Sequence, residues 1–197
     1  MILPLPEGIF DAYLFDCDGT IADSMPVHFV AWRQTLATWG ADFTEEQFYA
    51  WGGRPIVDIV TDLNSQQGLT MPVAEVAALQ ERTFHEMLPQ VKAVPGVLAH
   101  IEDAYGRVPF AVVSGSTRAS VTASLTALGL LDRFDVMVCA GDYTLGKPEP
   151  ECFLLAASKL GVAPDRCLVF EDTDYGMRAA AAAGMAAVRV PSPLNRS

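Results

Sequence analysis

At 197 residues, 51% of them hydrophobic and 19% charged, the chain has the apolar content of an ordered globule and is long enough for one filled domain or a core with a small accessory domain. A formal net charge of −11, from 13 basic against 24 acidic side chains, argues against nucleic acid and anionic membrane surfaces as partners. No stretch approaches the roughly 20 apolar residues that span a bilayer. Residues 1–10 carry no basic side chain and no long apolar run, so a secretory signal is not expected. Cys17, Cys139, Cys152 and Cys167 form no C-x-x-C pair and read as reduced, buried thiols of a cytoplasmic protein.

In chain order, Tyr13, Leu14 and Phe15 read as the end of a short buried strand, followed at once by Asp16-Cys17-Asp18-Gly19-Thr20. In extended backbone, residues two apart point to one side, so Asp16 and Asp18 face a common site and Cys17 faces away. Two acids there repel each other, and a hard dication with oxygen ligands is the simplest remedy. By composition alone such a five-residue pattern turns up in about one chain in a thousand, so its weight depends on whether later strand ends supply the rest of a site.

Helical spacing covers 25–39, 44–50, 54–63 and 72–88, broken at Gly52-Gly53, Gly68 and Pro72, with no convincing strand between. From Val94 the character changes. A helix near 97–104, a strand at 109–113, a helix near 117–128, a strand at 135–139, a helix at 150–160, a strand at 167–170, a helix at 174–183 and a strand at 185–190 alternate. That order predicts an α/β fold, a parallel sheet with helices on both faces, into which the first strand enters and the helical stretch is inserted. The expected domains are a core of 1–22 with 92–197 and a helical insertion of 23–91.

Ligands of such sheets gather beyond the carboxyl ends of the strands, and each end here carries chemistry. After Val113 come Ser114-Gly115-Ser116-Thr117, hydroxyls, a glycine and free helix amides that suit a phosphate, although Ser116 or Thr117 also suits a plain helix cap. Lys147, one of three lysines, precedes a helix start, where a cation runs against the dipole and makes sense beside an anion. After Phe170 come Glu171, Asp172 and Asp174, with Asp174 the first choice for the helix cap.

Asp16-Cys17-Asp18-Gly19-Thr20, Ser114, Lys147-Pro148 and Glu171-Asp172-Thr173-Asp174-Tyr175-Gly176 resemble, in order and spacing, the four motifs of the haloacid dehalogenase superfamily. His28-Phe29-Val30-Ala31-Trp32 and Gly146-Lys147-Pro148-Glu149-Pro150 are similar to its β-phosphoglucomutase-like branch, and within it to the fructose-1-phosphate phosphatase group. The resemblance implies a Rossmann-like core with an all-helical cap that closes over the site. It implies Asp16 as nucleophile forming an aspartyl-phosphate, Asp18 as general acid and base, and Ser114 and Lys147 on the phosphate. It also implies Mg2+ held by Asp16, the Asp18 backbone carbonyl, Asp172 and Glu171. Gly115 and Ser116 fall on the phosphate side, and His28, Trp32, Arg54 and Arg82 are the cap positions placed to read the alcohol of a small phosphorylated metabolite. Arg54 lies about two places before the cap arginine of the mutases.

Three functions are compatible with these residues: a Mg2+-dependent sugar-phosphate phosphatase, with fructose 1-phosphate as first substrate; a phosphomutase on the same core; and a non-catalytic phospho-acceptor. The threonine of Asp-Gly-Thr and the displaced Arg54 favour the phosphatase, and a monomer is expected.

Overall fold

The computed structural model describes residues 3–52 and 54–192. They divide into two compact units, Met1–Ser24 with Val91–Ser197, and Met25–Gln90.

The first unit is built on five parallel strands, β1 (Ala12–Phe15), β2 (Phe110–Val113), β3 (Val136–Val138), β4 (Cys167–Glu171) and β5 (Ala186–Arg189), in the order β3-β2-β1-β4-β5. Every pairing is parallel, as the alternation of strands and helices requires. The chain moves outward from β1 to β3, then returns to the other side of β1 with β4. The strand order therefore reverses between β1 and β4, the place where a sheet of this kind opens a crevice for ligands.

Alternate residues of each strand bury opposite faces, which is why the strands read as continuous apolar runs. One face carries Phe15, Phe110, Val112, Leu168 and Phe170, packed on Val97 and Ile101 of α5 (Pro95–Ala104) and on Val121 and Leu125 of α6 (Arg118–Ala127). Phe15 and Phe170 stack across neighbouring strands with centroids 4.7 Å apart. The other face carries Leu14, Ala111, Val113, Val138 and Val169. It meets Phe153 and Ala156 of α7 (Glu151–Leu160) and Ala179 and Ala180 of α8 (Asp174–Ala182). Ala179, Ala180 and Ala183 present only small side chains to this face of the sheet. All four cysteines are free and buried.

The second unit holds α1 (Met25–Ala37), α2 (Glu45–Ala50), α3 (Ile56–Gln67) and α4 (Val73–Met87). Trp32, Leu36, Phe43, Phe48, Val60, Leu63 and Val76 make its core. Helix α2 opens with a capping box, Thr44 accepting from Gln47 N–H and the Gln47 side chain returning to Thr44. Helix α3 runs four residues beyond the expected end at 63, through Asn64, whose side-chain amide pairs with Met71 N–H and O, and Ser65-Gln66-Gln67. It stops at Gly68, whose φ of 66° closes the last turn in the left-handed region. Among the described residues no helix is long and apolar enough to cross a membrane.

Candidate active site

Asp16 is the first residue past β1, and its N–H donates to Phe170 O on β4. It thus sits at the reversal point of the sheet. Cys17 turns into the core beside Phe15 and Ile21, as two-residue alternation demands. The chain then folds back sharply: Gly19 N–H donates to Ala22 O at 2.8 Å, and Ala22 N–H to Cys17 O at 2.9 Å. Gly19 has φ 89°, and a Cβ on it would lie 2.2 Å from Asp172 Oδ2. Only glycine admits both the turn and the approach of that carboxylate.

Lys147 reaches the centre of the acids. Its Nζ donates to Asp16 Oδ1 at 2.7 Å, to Glu171 Oε2 at 2.7 Å and to Val113 O at 3.1 Å. The side chain is 9% exposed. The cation before a helix start is therefore explained by two carboxylates of the chain itself, where an outside anion was one expected reason for it.

Glu171 is fully buried and both its oxygens are engaged. Oε2 accepts from Lys147, and Oε1 from Thr173 N–H at 2.9 Å and Thr173 Oγ1 at 2.7 Å. Thr173 is also the cap of α8, accepting from Gly176 N–H at 3.0 Å. Asp174, the expected cap, pairs with Arg189 at the surface instead. Thr173 serves both purposes because its hydroxyl accepts one hydrogen bond while donating another. Asp172 takes a hydrogen bond from Thr20 Oγ1 at 3.1 Å.

Asp18 is held by two hydroxyls. Ser24 Oγ donates to Oδ1 and Ser116 Oγ to Oδ2, each at 2.8 Å. Ser116, expected on the phosphate side, thus spends its hydroxyl on Asp18, while Thr117 caps α6. Ser114 is 2% exposed at the end of β2, and its Oγ accepts from Ser116 N–H at 3.0 Å. Gly115 is exposed, with open space where a Cβ would stand. Tyr143 donates its hydroxyl to Ser114 O at 3.2 Å.

Carboxylate oxygens of Asp16, Glu171 and Asp172 all lie within 4.8 Å of one another. Burial, then Glu171 and Asp172, push the Asp16 carboxyl well above its usual range in spite of Lys147. Burial and Glu171 lift Asp172 to about 7 against the hydrogen bond from Thr20. Burial alone would lower Lys147, but Asp16 and Glu171 outweigh it and hold the ammonium firmly protonated. One lysine does not balance these acids, and a set of hard oxygens short of positive charge fits Mg2+.

That imbalance sets the pH dependence of the metal-free protein. The native state holds protons on Asp16 and Asp172 to higher pH than the unfolded chain, whose aspartates ionise near 3.8. Between those limits the native state binds more protons, so stability falls as pH rises. We expect the Tm measured in chelator to fall from about pH 4 to about pH 7, and Mg2+ to reduce that fall by binding the ionised native site. Calorimetric scans with and without chelator check it.

Gly176 gives a second expectation. A Cβ there would lie 1.9 Å from Glu171 Cδ. Gly176→Ala must displace Glu171 from Lys147, and we expect a loss of about 1–3 kcal/mol, the cost of overpacking a filled site, together with reduced activity. Urea denaturation and phosphate-release assays measure the two effects.

Among the residues expected on the helical insertion, His28 stacks on Phe84 with ring centroids 3.7 Å apart, and its Nδ1 lies 3.1 Å from Gln80 Nε2. An amide N–H only donates, so Nδ1 accepts and a neutral ring carries its proton on Nε2. Trp32, expected to contact substrate, is 5% exposed and packs edge-on against Phe43. Its surface is spent in the core of the helical unit. Arg54 pairs with Asp62 at 2.7 Å and lies over Trp51. Arg82 is exposed on α4. Motif reading quoted Thr20 but gave it no partner, and it missed Ser24 and Tyr143, which meet theirs only through the fold of their loops.

Residues 10–184 match the haloacid dehalogenase-like hydrolase family. The chain is 39% identical over 180 residues to the fructose-1-phosphate phosphatase YqaB of Escherichia coli (strain K12), covering 90% of this chain and 94% of that protein. It is 30% identical to a phosphorylated carbohydrates phosphatase of Thermotoga maritima, over 89% of this chain and 82% of that one. Among solved structures, CbbY from Rhodobacter sphaeroides in complex with phosphate superposes with a TM-score of 0.81 at 26% identity, covering 95% and 89% of the two chains. A β-phosphoglucomutase from Clostridium difficile shares the fold, with a TM-score of 0.81 at 24% identity over 91% and 83%. The chain, with its acids and lysine gathered at the reversal point of the sheet, belongs to the haloacid dehalogenase-like hydrolases.

Proposed function

We propose that the protein is a Mg2+-dependent phosphatase of small sugar phosphates, with fructose 1-phosphate as the first substrate to test. The observation that carries this reading is the unequal treatment of the two aspartates. Asp16 meets the cation Lys147, whereas Asp18 is held by the two neutral hydroxyls of Ser24 and Ser116. Lys147 draws the Asp16 carboxyl down against the burial that raises it and so favours the attacking carboxylate, while the hydroxyls of Ser24 and Ser116 fix Asp18 where a proton can be passed. The phosphatase names of the relatives agree with it.

In this mechanism an oxygen of Asp16 attacks phosphorus and the P–O bond to the sugar breaks. Asp18 gives its proton to the leaving alkoxide. It then takes a proton from the water that attacks the aspartyl-phosphate, releasing phosphate and restoring Asp16. Lys147 and Ser114 stabilise the charge on the remaining phosphoryl oxygens. Mg2+, when bound by Asp16, Asp172 and the Asp18 carbonyl, supplies positive charge against the phosphate dianion. Glu171 has both oxygens engaged and supports the site through Lys147. Of the residues of the helical unit, His28 and Arg82 are our choices for contact with the sugar, since Trp32 is buried.

Arg54 bears on the mutase alternative. Its charge is already answered by Asp62, which weighs against a second phosphate there. A panel of sugar phosphates, assayed for phosphate release with and without Mg2+, tests the reading. Multiple-turnover, Mg2+-dependent release supports it. Conversion of β-glucose 1-phosphate to glucose 6-phosphate with little free phosphate, given a trace of the bisphosphate, would replace it with the mutase.

A further inference from the structure

Residues 139–150, between β3 and α7, contain no helix or strand. Gly141, Asp142, Thr144, Leu145 and Gly146 are exposed, Leu145 by 57%. A glycine-containing surface loop of this kind is by default mobile. Yet the same loop delivers Lys147 into a site where its side chain is 9% exposed and its ammonium has three oxygen partners. Ordering a lysine costs side-chain entropy, a cost that rises further if the backbone that carries it is left free.

We propose that Glu151 is the positioning residue of Lys147. Its two carboxylate oxygens each take one backbone amide of the loop, Thr144 N–H on Oε1 at 2.9 Å and Leu145 N–H on Oε2 at 2.8 Å. Hydrogen bonds to a carboxylate are stronger than those between neutral groups. The anchor itself is rigid, because Glu151 is the first residue of α7 and the next turn of that helix is buried through Cys152, Phe153 and Ala156. The same helix start places the Phe153 ring 5.1 Å from Lys147 Nζ. One element therefore fixes both the approach of the loop and the apolar wall beside the ammonium.

An acid in the first turn of a helix is favourable through the dipole alone. That explanation leaves the direction of the carboxylate open. Here it reaches back to residues 144 and 145 rather than to the free amides of α7. The two amides hold Glu151 in its charged form, with its carboxyl below the usual range. At the other end of the loop, Asp142 accepts from Cys139 N–H and Arg118, and Tyr143 reaches Ser114 O. The stretch between Tyr143 and Lys147 has Glu151 as its side-chain anchor.

The proposal rests on the phosphatase reading only for its kinetic arm. In the full chain, Glu151→Ala should lower kcat by about 10–100-fold, the loss of about 1.4–2.7 kcal/mol of transition-state stabilisation. Glu151→Gln, which keeps one acceptor oxygen, should recover part of it. In a Lys147→Ala background the same Glu151→Ala change should cost less than about twofold, since residues acting as one unit are not additive. Amide exchange gives a readout free of catalysis. Thr144 and Leu145 should lose protection in Glu151→Ala while Phe153 to Leu160 keep theirs, and the slowly exchanging Lys147 ammonium signal should disappear. A kcat within twofold of wild type in Glu151→Ala overturns the proposal. So does an equal loss in both backgrounds, or a loss of protection spread over α7, either of which marks a merely structural acid. If wild type hydrolyses no phosphate ester, the phosphatase reading fails, and the exchange data alone decide whether Glu151 holds the lysine.

Discussion

Asp16→Asn is expected to lower turnover by about ten-thousand-fold or more, the scale of losing a nucleophile, without destabilising the metal-free protein. The two halves of that expectation come from one environment. Asp16 lies at the carboxyl end of β1, accepts from Lys147 at 2.7 Å, and is raised well above its usual pKa by burial and by Glu171 and Asp172. Above neutral pH its charge is a net cost to the folded chain when no metal is bound. A neutral amide removes that cost and leaves Lys147 paired to Glu171. The Tm of Asp16→Asn in chelator at pH 8 should therefore equal or exceed that of wild type, as for many active-site residues held against the preference of the fold. A lowered Tm beside the lost activity would mean that Asp16 is chiefly structural. Asp18→Asn should differ. The nucleophile remains, so the aspartyl-phosphate forms or decays slowly instead of being absent.

Lys147→Ala is expected to cost both activity and stability. Removing the lysine leaves Asp16 and the fully buried Glu171 facing each other without a cation. Breaking a buried pair by deleting one partner costs about 3–5 kcal/mol, and we expect urea denaturation of the metal-free protein to show a loss of that order. Turnover should fall by at least about a hundredfold, as on removal of one fixed charge stabiliser. The sign of the pH response is part of the test. Without Lys147, which lowers the Asp16 carboxyl in the wild type, native-state protonation of Asp16 is favoured further. The stability gap from wild type should therefore widen as pH rises through neutrality. A gap that stays constant from pH 5 to pH 8, or a loss below about 1 kcal/mol, would show that Lys147 is not the counter-charge of this site.

Much of this is legible in the order of residues alone. A parallel sheet buries both faces, so its strands appear as unbroken apolar runs, and 110–113, 136–138 and 167–171 fall where such runs lie. Asp16, Lys147, Glu171 and Asp172 are found by asking what leaves each strand, since a doubly wound sheet brings those ends together. What stays hidden depends on side chains with more than one possible partner. Ser116 is as good a phosphate ligand as a donor to Asp18, and only the fold shows its hydroxyl donating to Asp18. Thr173 displaces Asp174 as the cap because it also satisfies Glu171. Trp32 and His28, four apart on α1, look equivalent in sequence, yet Trp32 points into the helical core and His28 is held by Gln80 against Phe84. The last four residues of α3 stay hidden because Asn64-Ser65-Gln66-Gln67 include no apolar side chain to mark the period, although Asn64 turns inward to Met71.

The most direct test of the central claim is to trap the covalent intermediate. Wild-type protein with Mg2+ and fructose 1-phosphate, or the best substrate of the panel, is quenched during turnover and reduced with borohydride, which converts an acyl phosphate of aspartate to homoserine. Peptide mass spectrometry then locates the modified residue. Homoserine at position 16, absent without substrate and absent in Asp16→Asn, is the predicted result. Turnover with homoserine at another aspartate, or with none at any time during the reaction, would contradict Asp16 as the residue that carries the phosphoryl group.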